Sequence, residues 1–350
     1  MPRLPVSALR RAHRISPQLA ALLPVCRDLS SARSELRWIR EHVIATQHNS
    51  RGRDAQELAV ARLCSQRGRG VPLQYLLGSQ PFGPLNIQCR PGVLIPRPET
   101  EAWVYHLARL LNEPATAPTL NQSSQAVNVV DFCTGTGCIP LLLTSLLQHT
   151  YDNIKTYGFD ISTQAVALAN HNLHLNRNQL KDSTKSIRFV QHDIFSGGWQ
   201  QHLNQERHGE VQIDILLSNP PYISTKGFKE DTERSVRKFE PKLALVPDTN
   251  LSSLFPLVVA EDIFYARLLQ IARQARPKLA LFEVGDLKQA TRVVEMAIAS
   301  QDWDHLEVWR DWPEMVPGPG EIDGLNVNGV QIPVRGSGNG RSVLLRKNLL

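Results

Sequence analysis

Ala126-Val127-Asn128-Val129-Val130-Asp131-Phe132-Cys133-Thr134-Gly135-Thr136-Gly137 runs from a short apolar stretch into a glycine-rich turn. A buried-type strand is expected over Ala126–Val130, and a helix over Ile139–Leu147. In an open α/β sheet ligands lie beyond the carboxyl ends of the strands, where a helix offers free amides. Gly135 and Gly137 remove side chains where a ligand must lie against backbone. Pro140 stands where a dinucleotide fingerprint needs its third glycine, so a pyrophosphate site is disfavoured.

Downstream the pattern is regular. Strands are expected at Ile154–Phe159, Ile187–Gln191, Ile213–Leu217 and Leu279–Val284, with helices at Thr163–Leu175, Leu257–Arg276 and Leu287–Ala299. Strands spaced by helices predict an α/β fold, doubly wound around a mostly parallel sheet. His305–Arg310 and Arg341–Leu345 are expected as two last strands, antiparallel at one side. Asp160 ends the second strand, where a carboxylate can accept both hydroxyls of a ribose. Asp193 follows the third, placed to accept from an adenine amino group. A ribose-binding acid beside a turn without phosphate-binding features points to a nucleoside ligand lacking phosphates, such as S-adenosylmethionine.

The fourth strand leads into Ser218-Asn219-Pro220-Pro221-Tyr222. Two prolines fix the backbone and remove two donors, leaving carbonyls as a rigid acceptor array. A planar NH2 group can give one hydrogen to the Asn219 side chain and one to the Pro220 carbonyl, with Tyr222 flat against its plane. Aimed at a sulfonium methyl, such a nitrogen would sit in near-attack geometry. An amide N–H is too weakly acidic for an ordinary side-chain base to remove its proton, so positioning and electrostatics should carry the rate.

Away from this centre the chain is less informative. It has 350 residues, 42% hydrophobic and 21% charged, which suits one large folded domain or two. No apolar run approaches the ~18 residues of a membrane span. The five cysteines, Cys26, Cys64, Cys89, Cys133 and Cys138, include no CxxC pair, so neither a disulfide scaffold nor a paired-cysteine metal site is expected, and a reducing compartment is. Of the formal charge of +6, five arginines precede Asp28, the first acid; without them 34 basic residues face 33 acidic ones. A near-neutral body argues against direct nucleic-acid binding. The acid-free leader predicts a mitochondrial transit peptide, a frayed tail on a cytoplasmic protein being the alternative. Helical spacing over Ser31–Gln47 and a capping-box-like start at Asp54 and Glu57 predict a small helical domain. The expected layout is a leader at 1–27, a helical domain at 28–80, a hairpin and linker at 81–125 with a helix over Glu99–Leu111, and the α/β domain at 126–350.

QYLLGSQPFG (Gln74–Gly83), VLIPRPETE (Val93–Glu101), DFCTGTG (Asp131–Gly137), GFDIS (Gly158–Ser162), SNPPYI (Ser218–Ile223), FEPKLAL (Phe239–Leu245) and LFEVGDLKQ (Leu281–Gln289) occur in this order. In them the chain resembles the glutamine-N5 methyltransferases of the HemK/PrmC type, which modify peptide-chain release factors. The resemblance implies a seven-stranded, Rossmann-like class I methyltransferase sheet behind a small N-terminal helical domain. It also implies that Cys133, Thr134, Gly135, Thr136, Gly137, Asp160 and Asn219 line S-adenosylmethionine, with Asp193 and Ile194 at its adenine. Asn219, Pro220, Pro221 and Tyr222 would hold the glutamine amide, and the PRPETE stretch would wall the site. The helical domain would help dock a release factor whose Gly-Gly-Gln loop reaches the pocket, in the mitochondrial matrix if the leader reading holds.

The chain departs from that pattern at three places. Cys133 stands where the family has glycine. Ser196–Gln212 looks like an insertion, which leaves Ile194, Phe195 and Trp199 as candidates to cover the adenine. The stretch after Trp309 matches poorly until Gly340-Arg341, and the resemblance assigns it no function. Glu99 and Glu101 fit a helix N-terminus as well as a site, and Glu240-Pro241 reads as a shape-setting turn. Rival readings are an adenine-N6 or cytosine-N4 nucleic-acid methyltransferase, a non-catalytic methyltransferase-like binding module and, more distantly, a nicotinamide dehydrogenase.

Overall fold

The structure is a computed structural model and describes residues 4–46, 52–113, 127–203 and 212–348. The chain divides into two compact units, residues 1–80 with 89–91 and 232–240, and residues 81–88, 92–231 and 241–350.

The first unit is helical. Val6–Ile15 (α1), Pro17–Cys26 (α2), Leu29–Thr46 (α3), Arg53–Gly68 (α4) and Leu73–Leu77 (α5) follow one another. Ser16 caps α2 by accepting from the Gln18 amide at 3.1 Å, with Pro17 at the first helical position. Leu19, Leu22 and Leu23 of α2 are buried with Leu36, Ile39 and Val43 of α3 and Val60 and Cys64 of α4. Arg67 and Glu35 form a two-pronged ion pair at 2.8 and 2.9 Å between α4 and α3. The 1–27 stretch, expected as a leader, thus contains two helices whose apolar residues enter this core. Asp54 lies in the first turn of α4, and the cap is Gly52 with no side-chain bond. That corrects the expected capping box: the helix begins at Arg53, two residues before the first position that Asp54 could cap.

The second unit carries the sheet. Ser79–Phe82 (β1) and Leu85–Gln88 (β2) make a separate two-stranded sheet, as expected of a hairpin. Pro98–Asn112 (α6) starts with Pro98 at its first position. Trp103, Val104, Leu107 and Leu111 on its inner face are fully buried, so this part of 81–125 is core rather than linker. The polar loop expected over 112–125 lies, from residue 114 on, outside the described residues.

The main sheet is built from Val127–Phe132 (β3), Ile154–Asp160 (β4), Ile187–Gln191 (β5), Ile215–Ser218 (β6), Leu279–Glu283 (β7), His305–Trp312 (β8), Gly324–Val327 (β9), Val330–Arg335 (β10) and Ser337–Arg346 (β11). Their spatial order is β5-β4-β3-β6-β7-β11-β8-β10-β9. β3 to β7 are parallel, and β11 runs antiparallel to both β7 and β8. The first seven strands in this order are the expected doubly wound sheet. β9 and β10 extend it to nine among the described residues and occupy the stretch after Trp309 that no motif explains.

Side chains alternate across the sheet as the strand period requires. Val129, Leu217 and Leu281 pack with residues of α6, Cys138–Leu147 (α7) and Thr163–Leu175 (α8). Val130, Leu216 and Ala280 pack on the other face with Ile263–Ala275 (α9) and Leu287–Ser300 (α10). The register aligns the carboxyl ends: Phe132 pairs with Phe159 and Ser218, Asp160 with Gln191, and Ser218 with Phe282. The chain reverses its direction of winding between β3 and β6, so the crevice lies there. No helix among the described residues is long and apolar enough to cross a membrane.

Candidate active site

Strand register alone brings Cys133, Asp160, His192, Asp193 and Asn219 to one edge of the sheet, and all five line one cavity of about 270 Å³. Thr134, Gly135, Thr136, Ile194, Phe195 and Pro221 line it too, with Val93–Arg97 on one side and Pro241, Leu243, Ala244 and Leu251 contributing further walls.

The glycine turn is held from below. Cys133 adopts φ 61, Gly135 φ 54 and Gly137 φ 77. Cys133 thus holds a left-handed backbone that glycine adopts without strain, at the position where the resemblance places glycine. A Cβ at Gly137 would stand 2.8 Å from Phe189 Cζ, so close packing requires glycine there, and Gly137 itself is not among the residues lining the cavity. Asn172 of α8, fully buried, donates to the Thr136 carbonyl at 3.0 Å and accepts from the Gln88 amide of β2 at 2.8 Å. Its side-chain amide thereby ties the turn to β2.

Asp160 accepts from the Gly135 amide at 2.8 Å and the Ser162 amide at 2.9 Å. Burial raises its pKa, and these two amides act against that rise. Each oxygen keeps acceptor capacity for a ribose hydroxyl. Asp193 accepts from the Phe195 amide at 2.9 Å, which turns the 193–195 stretch so that Ile194 and Phe195 both reach the cavity. Trp199 is 2% exposed and packs edge-on against Phe132 at 5.7 Å. It is core, and Ile194 and Phe195 remain as the residues able to cover an adenine. The rest of the 196–212 insertion, over 204–211, lies outside the described residues. His192 had no place in the sequence reading; its pKa is lowered by burial and by His202, 5.4 Å away between ring centres.

Asn219 is partly exposed to the cavity and Pro221 lines it, whereas Pro220 is buried and neither Pro220 nor Tyr222 is among the lining residues. Tyr222 is half-buried. Its hydroxyl donates to Glu283 Oε1 at 3.2 Å, and its carbonyl accepts from Gln289 Nε2 at 3.2 Å. Glu283, at the end of β7, is 1% exposed and also accepts from Thr100 Oγ1 at 2.6 Å and Trp103 Nε1 at 2.8 Å. Burial raises its pKa, with Thr100, Trp103, Arg341 and Tyr222 pulling the other way. Burial, then the Glu283 charge, raises that of Tyr222. Sequence reasoning quoted Glu283 only as part of a motif; the signal that could have found it is a lone acid ending an otherwise apolar strand.

Glu99 and Glu101 fall in the first turn of α6 and neither lines the cavity, while Thr100 between them does. The two acids sit where the helix dipole favours them. Pro241 lines the cavity and Glu240 does not. Among the described residues no group of three or more His, Cys, Asp or Glu is placed to hold a metal ion. The lining fits a nucleoside with an apolar base edge: carboxylates at Asp160 and Asp193 as acceptors, open space beside Gly135, and Ile194 with Phe195.

Comparison with known proteins agrees with this geometry. A family profile described as N-6 DNA Methylase matches residues 107–262. The protein named Mitochondrial MRF1 N(5)-glutamine methyltransferase MTQ1, from Saccharomyces cerevisiae, is 39% identical over 246 residues, 70% of this chain and 68% of that one. Probable MRF1 mitochondrial N(5)-glutamine methyltransferase mtq1 of Schizosaccharomyces pombe is 32% identical over 312 residues, 87% of this chain and 91% of its own length. Release factor glutamine methyltransferase of Pasteurella multocida is 35% identical over 261 residues, covering 72% and 76%. With a doubly wound sheet, a nucleoside-type cleft and an Asn-Pro-Pro-Tyr turn on the same strand ends, the chain belongs to the N5-glutamine methyltransferase family.

Proposed function

We propose that the protein transfers the methyl group of S-adenosylmethionine to the side-chain amide nitrogen of the glutamine in the Gly-Gly-Gln motif of a mitochondrial release factor. The observation that carries the reading is that one cavity is lined at once by Asp160, Asp193 and Asn219. A nucleoside and an amide acceptor would therefore meet in a single cavity. The names of the relatives support a release factor as substrate and mitochondria as the compartment.

Bound there, S-adenosylmethionine would supply a methyl on a positively charged sulfur. Gly135 and Thr136 would face it with backbone, and Asp160 would accept its ribose hydroxyls. Asn219 Oδ1 and the Pro220 carbonyl would each accept one amide hydrogen, which leaves the nitrogen facing the methyl. The cofactor would supply an electrophilic methyl and depart as a neutral thioether, and the amide would give one proton to water. Orientation by Asn219 and the Pro220 carbonyl would replace strong-base catalysis.

The Gly-Gly-Gln target, the matrix, the absence of direct nucleic-acid binding and the roles of Cys133 to Gly137, Asp193, Ile194 and Pro220 to Tyr222 belong to this proposal. So does the leader at residues 1–27, although apolar residues of both α1 and α2 enter the helical core. The match to the N-6 DNA methylase profile favours one second reading, an adenine or cytosine amine as acceptor. Labelled methyl transfer to a mitochondrial release factor, beside its Gly-Gly-Gln→Gly-Gly-Ala variant and a DNA duplex, separates them. Label on the first alone is expected; label on both proteins means another acceptor, and label on DNA alone overturns the proposal.

A further inference from the structure

Tyr222 is gripped from three sides by one short stretch of chain, Glu283 to Gln289. Glu283 Oε1 accepts from its hydroxyl at 3.2 Å. Gln289 Nε2 donates to its carbonyl at 3.2 Å. Gly285 lies against its ring: a Cβ there would stand 3.2 Å from Tyr222 Cδ2 and 3.4 Å from Cε2.

Each grip is itself fixed. Glu283 accepts from Thr100 and Trp103 at the head of α6, and the Tyr265 hydroxyl donates to its backbone carbonyl at 2.7 Å. Gln289 is 4% exposed. It accepts from the Gly285 amide at 2.8 Å and donates to Asp262 Oδ1 at 2.8 Å, which settles which end of its amide faces Tyr222. Arg292 holds Asp262 in turn, at 3.0 Å from Nη2 to Oδ1. Such an arrangement of buried, mutually satisfied polar groups rigidifies what it holds. Three donors converging on one buried carboxylate are unusual for a residue with no task beyond packing, because an apolar residue would cost less to bury.

We propose that the Glu283–Gln289 segment is a cradle that fixes Tyr222 for methyl transfer, with Glu283 and Gln289 as positioning residues. Glu283 also ties Tyr222 to Thr100, which lines the cavity within the Pro-Arg-Pro-Glu-Thr stretch. One carboxylate thus references the end of the Asn-Pro-Pro-Tyr turn to a cavity-lining residue of α6. The inference rests on the reading of Asn219–Tyr222 as the amide-holding turn.

Glu283→Gln keeps the shape and turns one acceptor oxygen into a donor facing donors. Gly285→Ala leaves Glu283 intact and presses on the ring by a few tenths of an ångström. Both are measured for kcat at saturating release factor and cofactor, for cofactor Kd and for melting temperature, beside Asn219→Ala, Tyr222→Phe and the Glu283→Gln/Tyr222→Phe double variant. The expected result is a kcat lowered about tenfold or more in Glu283→Gln and severalfold in Gly285→Ala, given how steeply rate depends on reactant placement. Cofactor Kd should stay unchanged, and the Glu283→Gln effect should shrink once Tyr222 has lost its hydroxyl. If Glu283→Gln does not fold, Gly285→Ala decides alone. Wild-type kcat in the cradle variants with Asn219→Ala inactive overturns the cradle but keeps the function. A wild-type rate in Asn219→Ala overturns the function and the cradle with it. Losses that merely follow the unfolded fraction, or full additivity with Tyr222→Phe, also overturn the cradle.

Discussion

The amide of Gly135, at the end of β3, donates to Asp160 Oδ2, at the end of β4, at 2.8 Å. The glycine turn and the ribose-type acid are therefore one preorganised unit. Replacing Asp160 by Asn keeps the size but sets an NH2 group against one of two backbone donors, those of Gly135 and Ser162. Cofactor affinity is expected to fall about 10- to 100-fold, the ~1.5–3 kcal/mol of hydrogen bonds to a charged group. Calorimetric titration of Asp160→Asn with S-adenosylmethionine checks this, and an unchanged Kd would remove Asp160 from the site.

The two glycines of the turn should fail differently. At Gly135, φ is 54 and a Cβ would meet nothing within 4 Å, so Gly135→Ala pays only the left-handed backbone, about 1–2 kcal/mol. At Gly137, φ is 77 and the Cβ would also press on Phe189 at 2.8 Å and on Ala169 at 3.1 Å, adding about 1–3 kcal/mol of overpacking. Gly137→Ala is expected to show the larger drop in unfolding midpoint. Gly135→Ala should chiefly weaken cofactor binding, because Gly135 lines the cavity. Equal midpoints in urea would contradict the division.

Leu22 and Leu23 test where the folded body begins. They are 0% and 1% exposed in the helical core. Leu22→Ala is expected to destabilise that unit by about 2–5 kcal/mol, as other buried Leu truncations do. A chain starting at residue 28 should lose the cooperative unfolding of the helical unit, whereas one starting at Pro17, which lacks only α1 with Ala12, should be destabilised less. Hydrogen exchange over α3 and α4 reads this directly. Unaltered protection in the chain from residue 28 would show that α1 and α2 do not stabilise that core.

The strand–helix alternation from 126 to 300 is legible because each strand is a compact apolar run and each helix an apolar stripe; the exception is the helix expected from Leu257, which begins at Ile263 after a 3-10 turn at Ala260–Asp262. Asp160, Asp193 and Asn219 are legible for the same reason: Asp160 ends a strand, Asn219 directly follows one and Asp193 stands two residues beyond one. The β9–β10 hairpin is harder to see, since Val330–Arg335 buries only Ile332 and Val334 and most of its surface faces outward. Its signal was nevertheless present as Val327-Asn328-Gly329-Val330: Asn328 has φ 51 and Gly329 φ 82, the turn that Asn-Gly favours between paired strands. Glu283 and Gln289 resist any such reading. Their meaning comes from Tyr222 and Thr100, 61 and 183 residues from Glu283 in sequence, and only the strand order brings them together.

Asp131 gives the stability of the fold a pH dependence with a definite sign. It is wholly buried at the end of β3. Burial pushes its pKa from 3.8 up to about 8, with the Thr134 hydroxyl acting against the rise and Asp160 adding to it. The folded chain keeps this proton across a range in which the unfolded chain has released it. Between about pH 4 and pH 8 the folded state therefore binds more protons, and stability must fall as pH rises, by up to about 1.4 kcal/mol per unit for one proton. Below that window both states are protonated and the contribution is whole; above it both are ionised and the loss is complete. Asp131→Asn is neutral throughout and should flatten the decline. A shallower slope should remain, since Asp160 and Glu283 are raised in the same direction. Melting temperatures from pH 5 to pH 8.5 for both proteins settle it: the variant should gain on the wild type as pH rises, and parallel curves would show that Asp131 holds no proton in the folded chain.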